Sequence, residues 1–194
     1  MAWFLQLEVK EVIKITELNV VVSNTTDPVQ LLQQNKWQVE EVQRLYYPYY
    51  FFEVQIEYDS FLRKKRFSKK MVAVNAVTGG TSFSDVYPTF EKRDISDHAT
   101  VPMEYSAQDC QKETIEMVRK YFIHHVRIWN PPTITVSKTE AIYLPYTVLY
   151  TKKANNKKSY LHLYEHLSGK YDKLNNSPMI ENAFNNLFKR SEAT

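Results

Sequence analysis

The residues with the most chemical potential lie near the C-terminus. His162-Leu163-Tyr164-Glu165-His166 fits the H-x-x-E-H pattern of a zinc peptidase. That chemistry needs both imidazoles on one helical face and the glutamate as general base. It also needs a third ligand, usually a glutamate well downstream, and only Glu181 and Glu192 follow. The local sequence Tyr160-Leu161-His162-Leu163-Tyr164 alternates as a strand does. In a strand His162, Tyr164 and His166 share one face while Glu165 points away, so the base is parted from the metal. We expect no metal site here.

Other reactive groups fare no better. Cys110 falls in the first turn of an expected helix, where a thiolate is favoured. No spacing brings Asp97-His98 to it, so a small buried thiol is expected. His124-His125 come late in the same helix and suit its terminal carbonyls. There is no P-loop, GxGxxG or GxSxG, and three glycines in 194 residues leave no phosphate cradle. We expect no catalytic residues, no cofactor and no enzymatic activity.

Two groups of side chains suit binding instead. Arg63, Lys64, Lys65 and Arg66 with Lys69 and Lys70 fall between two expected strands. Lys152 and Lys153 with Lys157 and Lys158 fall at a similar point further on. Side by side, the two loops would form one surface for nucleic acid or another polyanion, with Tyr58, Phe61 and Phe67 placed to stack on bases. The bland alternative is a pair of solvated hairpins kept from aggregating by lysine. Tyr46-Tyr47-Pro48-Tyr49 and Tyr143-Leu144-Pro145-Tyr146 are the second group. Tyr47, Tyr49 and Tyr146 are candidate recognition residues or, equally, core packing at a strand corner.

The elements that hold these groups follow from pattern. Residues 3–23 alternate as one or two strands, with a helix over 4–18 as the rival. Thr26 or Asp27 caps, and Pro28 opens, a short helix over about 28–35. Strands follow over 37–45, 49–58 and 71–77, then a turn at Thr78-Gly79-Gly80. The stretch 84–105 shows no sustained period and contains Pro88 and Pro102, which suits a linker. Ser106-Ala107-Gln108-Asp109 fits a capping box ahead of a helix that Asn130-Pro131-Pro132 would stop. Strands are expected over 133–143, 146–153 and 159–166. Ser177-Pro178 opens a final helix with Ile180, Ala183, Phe184, Leu187 and Phe188 on one face.

All three glycines fall at one point of a pattern that occurs twice. Pro48 and Pro145 lie 97 positions apart, and Gly79 and Gly169 lie 90 apart. We read an α+β protein: two related units, each a helix plus an antiparallel sheet of three to four strands, and a C-terminal amphipathic helix. The divisions are 1–90, a linker at 91–105, 106–175 and 176–194.

Phe51-Phe52-Glu53-Val54-Gln55-Ile56-Glu57 followed by Val72-Ala73-Val74-Asn75-Ala76-Val77-Thr78-Gly79 resembles a PepSY-type module. Such modules end in a Val-Asp-Ala-x-Thr-Gly-like turn, and here Asn75 takes the Asp position. The resemblance covers 27–83, and more thinly 107–174, where only Leu167-Ser168-Gly169 matches. It implies a small α+β binding module without catalysis, of a kind usually found outside the membrane.

Composition sets the outer limits. Hydrophobic content of 43% is enough for a real core, so disorder throughout is excluded. A net charge of +3 permits an acidic partner without requiring one. The single cysteine forbids an intrachain disulfide. The start lacks a basic segment and a long apolar run, and no stretch of 18 apolar residues occurs. We therefore expect a cytoplasmic location and no transmembrane segment. The function that fits is a binding or assembly protein, engaging another protein or itself through aromatic-rich sheets or the last helix. The alternative is a nucleic-acid or polyanion binder.

Overall fold

The computed structural model describes residues 15–22, 27–60, 62, 64–85, 87–96, 99–153 and 158–188. The expected N-terminal strand before residue 15 and the rival helix lie largely outside these residues, as do Arg63, Lys157 and His98. The chain order is β1 (Ile15–Val21), α1 (Pro28–Gln34), β2 (Trp37–Asp59), β3 (Lys65–Asn75), β4 (Thr81–Ser84) and β5 (Phe90–Ser96). It continues with α2 (Ala107–His125), β6 (Thr133–Lys153), β7 (Ser159–Glu165), β8 (Lys170–Lys173), a single turn of 3₁₀ helix at Leu174–Asn176 and α3 (Pro178–Phe188). The fold is α+β, with one mixed sheet of eight strands and three helices.

Two strands dominate. β2 and β6 run 23 and 21 residues and pair antiparallel from Trp37↔Lys153 to Glu57↔Thr133. The expectation of separate strands on either side of Pro48 and Pro145 is corrected: each long strand passes straight through its proline. The reason is local. The Pro48 carbonyl faces β3 and accepts from Ala76 N–H at 3.2 Å. Its nitrogen, which has no proton, faces the same way, just where β3 has ended at Asn75. Pro145 repeats this, accepting from His166 N–H at 3.2 Å where β7 has ended at Glu165. Each proline therefore sits at a local edge, where no ladder bond is lost.

The flanking contacts match in pairs. Tyr46 pairs with Pro145 and Pro48 with Tyr143, on either side of Tyr47↔Leu144. Tyr46 bridges in parallel to Thr100, and Tyr143 to Val20. Gly79 N–H donates to Asn75 O and Gly169 N–H to Glu165 O, both at 2.9 Å. The two glycines have φ of +73° and +67°.

The outer strands complete the sheet in the order β4-β3-β2-β6-β1-β5, with β7 on the other half of β6 and β8 outside β7. The stretch read as a linker contains β5, which pairs antiparallel with β1 from Ile15↔Ser96 to Val21↔Phe90. The basic run read as a loop is also corrected. Lys65, Arg66, Lys69 and Lys70 lie on β3, which pairs with β2 from Asp59↔Lys65 onward.

Helices α1 and α2 lie on one face of the sheet and α3 on the other. Asp27 caps α1 by accepting from Val29 N–H at 2.9 Å, and Leu32 then packs on Leu149 and Tyr164. Ser106 caps α2 by accepting from Asp109 N–H at 3.2 Å. Cys110, Val118 and Phe122 of α2 pack on Phe52, Val54 and Val72. On the opposite face, Ile180, Ala183 and Phe184 of α3 pack on Leu45, Tyr47 and Val148. No helix among the described residues is long and apolar enough to cross a membrane.

The glycine turns make a graded prediction. Left-handed backbone costs an L-residue about 1–2 kcal/mol, so alanine at Gly79 or Gly169 is destabilising. At Gly79 the new Cβ also meets the Tyr105 ring at 3.1 Å, whereas at Gly169 the nearest atom is Tyr164 Oη at 3.8 Å. Urea unfolding should rank Gly79→Ala below Gly169→Ala, with Gly80→Ala near the parent protein.

Candidate functional site

Side chains of β2 and β6 alternate between the two faces, so the tyrosine motifs divide by parity. Tyr47 and Tyr49 of β2 and Tyr146 of β6 point to the α3 face. Their ring centroids lie 5.7 Å apart for Tyr47–Tyr49 and 6.4 Å for Tyr47–Tyr146. The register brings Asn75 beside Tyr49 and Glu165 beside Tyr146. The side chains at the two strand ends do different work. Asn75 Oδ1 accepts from Val77 N–H and Thr78 N–H at 2.9 and 3.0 Å, holding its own turn. Glu165 instead accepts from Ser168 Oγ–H at 2.5 Å and from Tyr146 Oη–H at 3.4 Å.

Burial governs the acidity of these phenols. The Tyr49 phenol is pushed up to about 12, first by burial and then by Tyr47 and Glu165. Burial also raises Tyr146, assisted by Tyr49 and Glu165. It raises Tyr47, against a smaller opposite pull from Asn75. At neutral pH all three stay protonated, so they are hydrogen-bond donors and not bases or nucleophiles.

Two cavities flank the start of α3 above these rings. One, of about 380 Å³, is lined by Tyr49, Tyr146, Glu165, Lys170 and Asp172 with the Ser177–Ile180 turn. The other, of about 430 Å³, is lined by Tyr47, Thr78, Glu104, Asn182 and Asn186. Pro178 and Met179 belong to both walls. Asn75 Nδ2 reaches Met179 Sδ at 3.7 Å. The Tyr47 hydroxyl is buried, with the Asn75 side chain as the polar group acting on it. Donors, a carboxylate and apolar walls converge here, the usual makeup of a ligand pocket.

The remaining candidate residues scatter. His162, Glu165 and His166 do not converge. His162 is buried at 4% exposure among Trp37, Tyr160 and Tyr171, stacked on Tyr171 at 4.9 Å. His166 Nε2 lies 2.7 Å from Thr147 Oγ1, and Glu165 faces Tyr146. No group of three potential metal ligands occurs among the described residues. Cys110 is buried in α2, and burial pushes its thiol up, followed by the nearby Asp109 charge.

The basic segments cannot share a surface. Because β2 and β6 are antiparallel, the β2–β3 tip lies by Thr133 and the β6–β7 tip by Trp37, about 60–70 Å apart along the strands. Lys65 pairs with Glu57, Lys69 with Glu53 and Lys152 with Glu40. Lys153 lies over the Trp37 ring at 4.9 Å, and Lys158 over Tyr160 at 5.7 Å. Met179, Asn182, Asn186 and Asp172 were not foreseen as site residues, because nothing local in the sequence says which face α3 covers. Comparison of the chain with protein-family models, curated proteins and solved structures finds no match.

His162 carries a pH prediction. Its ring nitrogens are buried, and burial lowers its pKa from 6.5, with the Lys173 charge acting the same way against a smaller opposite pull from Asp172. The unfolded chain therefore takes up a proton first as pH falls below about 6.5. The histidine's contribution is intact above that value and is lost progressively below it, at no more than about 1.4 kcal/mol per pH unit. His162→Phe keeps the ring contacts and removes the buried titrating group. Denaturant midpoints should show stability at pH 7.5 held or raised, and a shallower decline from pH 6.5 to 4.5.

Proposed function

We propose that this chain is a non-enzymatic binding or assembly protein that engages another protein at the aromatic face crossed by α3. The observation that carries this reading is the pair of cavities on either side of Met179, above the buried Tyr47 ring. Concave sites with apolar walls and a few convergent polar groups are where ligands and partner side chains seat. Every perturbed tyrosine moves toward the inert protonated form, which suits recognition and not proton transfer. Met179 is 48% exposed and unbranched, and such side chains adapt to varied partners. The resemblance of 27–83 to PepSY-type modules points the same way.

The same reading takes the two halves as copies of one helix–strand–hairpin unit. The matched bonds at Pro48 and Pro145, and at Gly79 and Gly169, support it. The polyanion alternative is weakened, because its two basic segments stand at opposite ends of the sheet.

The test places a photo-crosslinking residue at Met179 and, as a control, at Ile123 on the far face of α2. Met179 should give a discrete crosslinked product in its native extract and Ile123 none. Asn182→Arg, which fills the second cavity with a charge, should cut the product about tenfold. Equal labelling from both positions, or a product indifferent to Asn182→Arg, would remove the proposal.

A further inference from the structure

A second surface is left open at the outer edge of β3. β4 pairs only with Met71 to Val74, so the segment Lys65–Lys70 has no neighbour on that side among the described residues. The direction of its backbone groups follows from the ladder. Asn75 N–H points outward to Gly80 O, while Lys64 O points inward to Ser60 N–H. Register is unbroken between these points, so alternate residues keep their directions. Lys65, Phe67 and Lys69 therefore present N–H and C=O to the open side, in line with the end of β4.

The side chains on the two faces of this edge differ in charge. On the α3 face, Lys65 and Lys69 are neutralised by Glu57 and Glu53 at 2.6 Å each. Phe67 stands between them, 76% exposed. It borders a groove of about 380 Å³ whose other walls are mainly polar, among them Gln55, Glu57, Thr133 and Thr135. On the α2 face, Arg66 and Lys70 are exposed and make no ion pair among the described residues, and Lys64 is exposed at the tip. One face of the edge carries an exposed phenylalanine between neutralised ion pairs, and the other carries unpaired positive charge.

We propose that this edge accepts an extended peptide as an added β-strand, one in which acidic and apolar residues alternate. Its acids face Arg66 and Lys70, and its apolar side chains face Phe67. Three outward backbone positions suit a segment of about five or six residues. A second copy of this chain is disfavoured at the same edge, because lysine and arginine would meet their own kind. A nucleic acid would use the cations but has no use for strand amides. The inference is independent of the α3 cavities and stands or falls separately from them.

The test uses a fluorescein-labelled peptide of four Glu-Val repeats, read by anisotropy with the full chain at low salt. Three further probes have the same length: a Glu-Glu-Val-Val block peptide of equal composition, and two Glu-Val peptides N-methylated at every second residue, one on the Glu set and one on the Val set. The alternating peptide should bind at least fivefold tighter than the block peptide. N-methylation should weaken binding at least tenfold for one set and leave the other near the parent, since only one set faces the edge. Combined Lys64→Glu, Arg66→Glu and Lys70→Glu should cost tenfold or more. Phe67→Pro, which removes an outward N–H without touching the β2 ladder, should do the same with an unchanged melting temperature. Equal loss from both N-methylated peptides, absence of binding, or tighter binding of oligothymidylate than of the alternating peptide would each overturn the proposal. Because Tyr47 and α3 lie elsewhere, Asn182→Arg should leave peptide affinity unchanged.

Discussion

The long ladder between β2 and β6 decides where everything else goes. It pairs twenty positions of each strand, and its only shifts fall between Val39 and Glu41 and between Glu53 and Val54. Slipping it by one residue would turn Tyr47 and Tyr49 away from α3 and drive Tyr46 and Tyr50 under it. The two prolines pin the register. Each lacks a donor, and each finds the one stretch of strand flank where no neighbour asks for it: Pro48 between β3 and Thr100, Pro145 between β7 and Val20. Any slip would set a missing N–H against an occupied ladder.

Around this centre the hydrogen bonds at Pro48 and Gly79 have counterparts at Pro145 and Gly169. Helices α1 and α2 sit on the same face, each ahead of its long strand. α3 covers the opposite face. It lies over two flanks that differ in charge. Tyr49 and Tyr146 occupy matching places, but one has an amide at its side and the other a carboxylate. The cavity by Glu165 also carries Asp172 and Lys170, while the cavity by Tyr47 has Glu104 as its one charged residue and is otherwise lined by apolar and neutral polar groups. A ligand spanning both would meet a gradient from charged to neutral, with Met179 between.

Local chemistry was legible in the sequence wherever a residue has one strong preference. Asp27, Ser106 and the positive-φ glycines marked caps and turns correctly because each satisfies a backbone need on its own. The strand nature of His162 was legible from alternation alone. What failed were the points where the answer depends on a distant neighbour. A proline reads as a strand end unless one knows that the adjacent strand stops there. Lys65 to Lys70 reads as a loop because charge hides the period of two, and Glu53 and Glu57 neutralise one face only once the hairpin sets β2 beside β3. β5 was missed for the same reason: Glu91, Arg93 and Lys92 are charged, and only pairing with β1 makes them a strand. The site under α3 was half visible. Its tyrosines stood out as a motif, whereas Asn182, Asn186 and Met179 needed the docking direction of the helix.

That the charge lies on strands and not on loops changes what it is for. An exposed strand edge is a template for unwanted pairing, and lysine is a standard guard against it. β3 outside β4, and β7 from Ser159 to Leu161 outside β8, are such edges among the described residues. The guards differ. Near β7, Lys152 is tied to Glu40 and Lys153 and Lys158 lie over aromatic rings, so little free charge remains. Along β3 only the cations on one face are tied. Protection alone would be served by lysine on either face, and neutralising one face while leaving a 76% exposed phenylalanine there weakens the guard. An edge built only to repel would have no reason to expose a phenylalanine between neutralised ion pairs, so the asymmetry of β3 argues for selective pairing over exclusion.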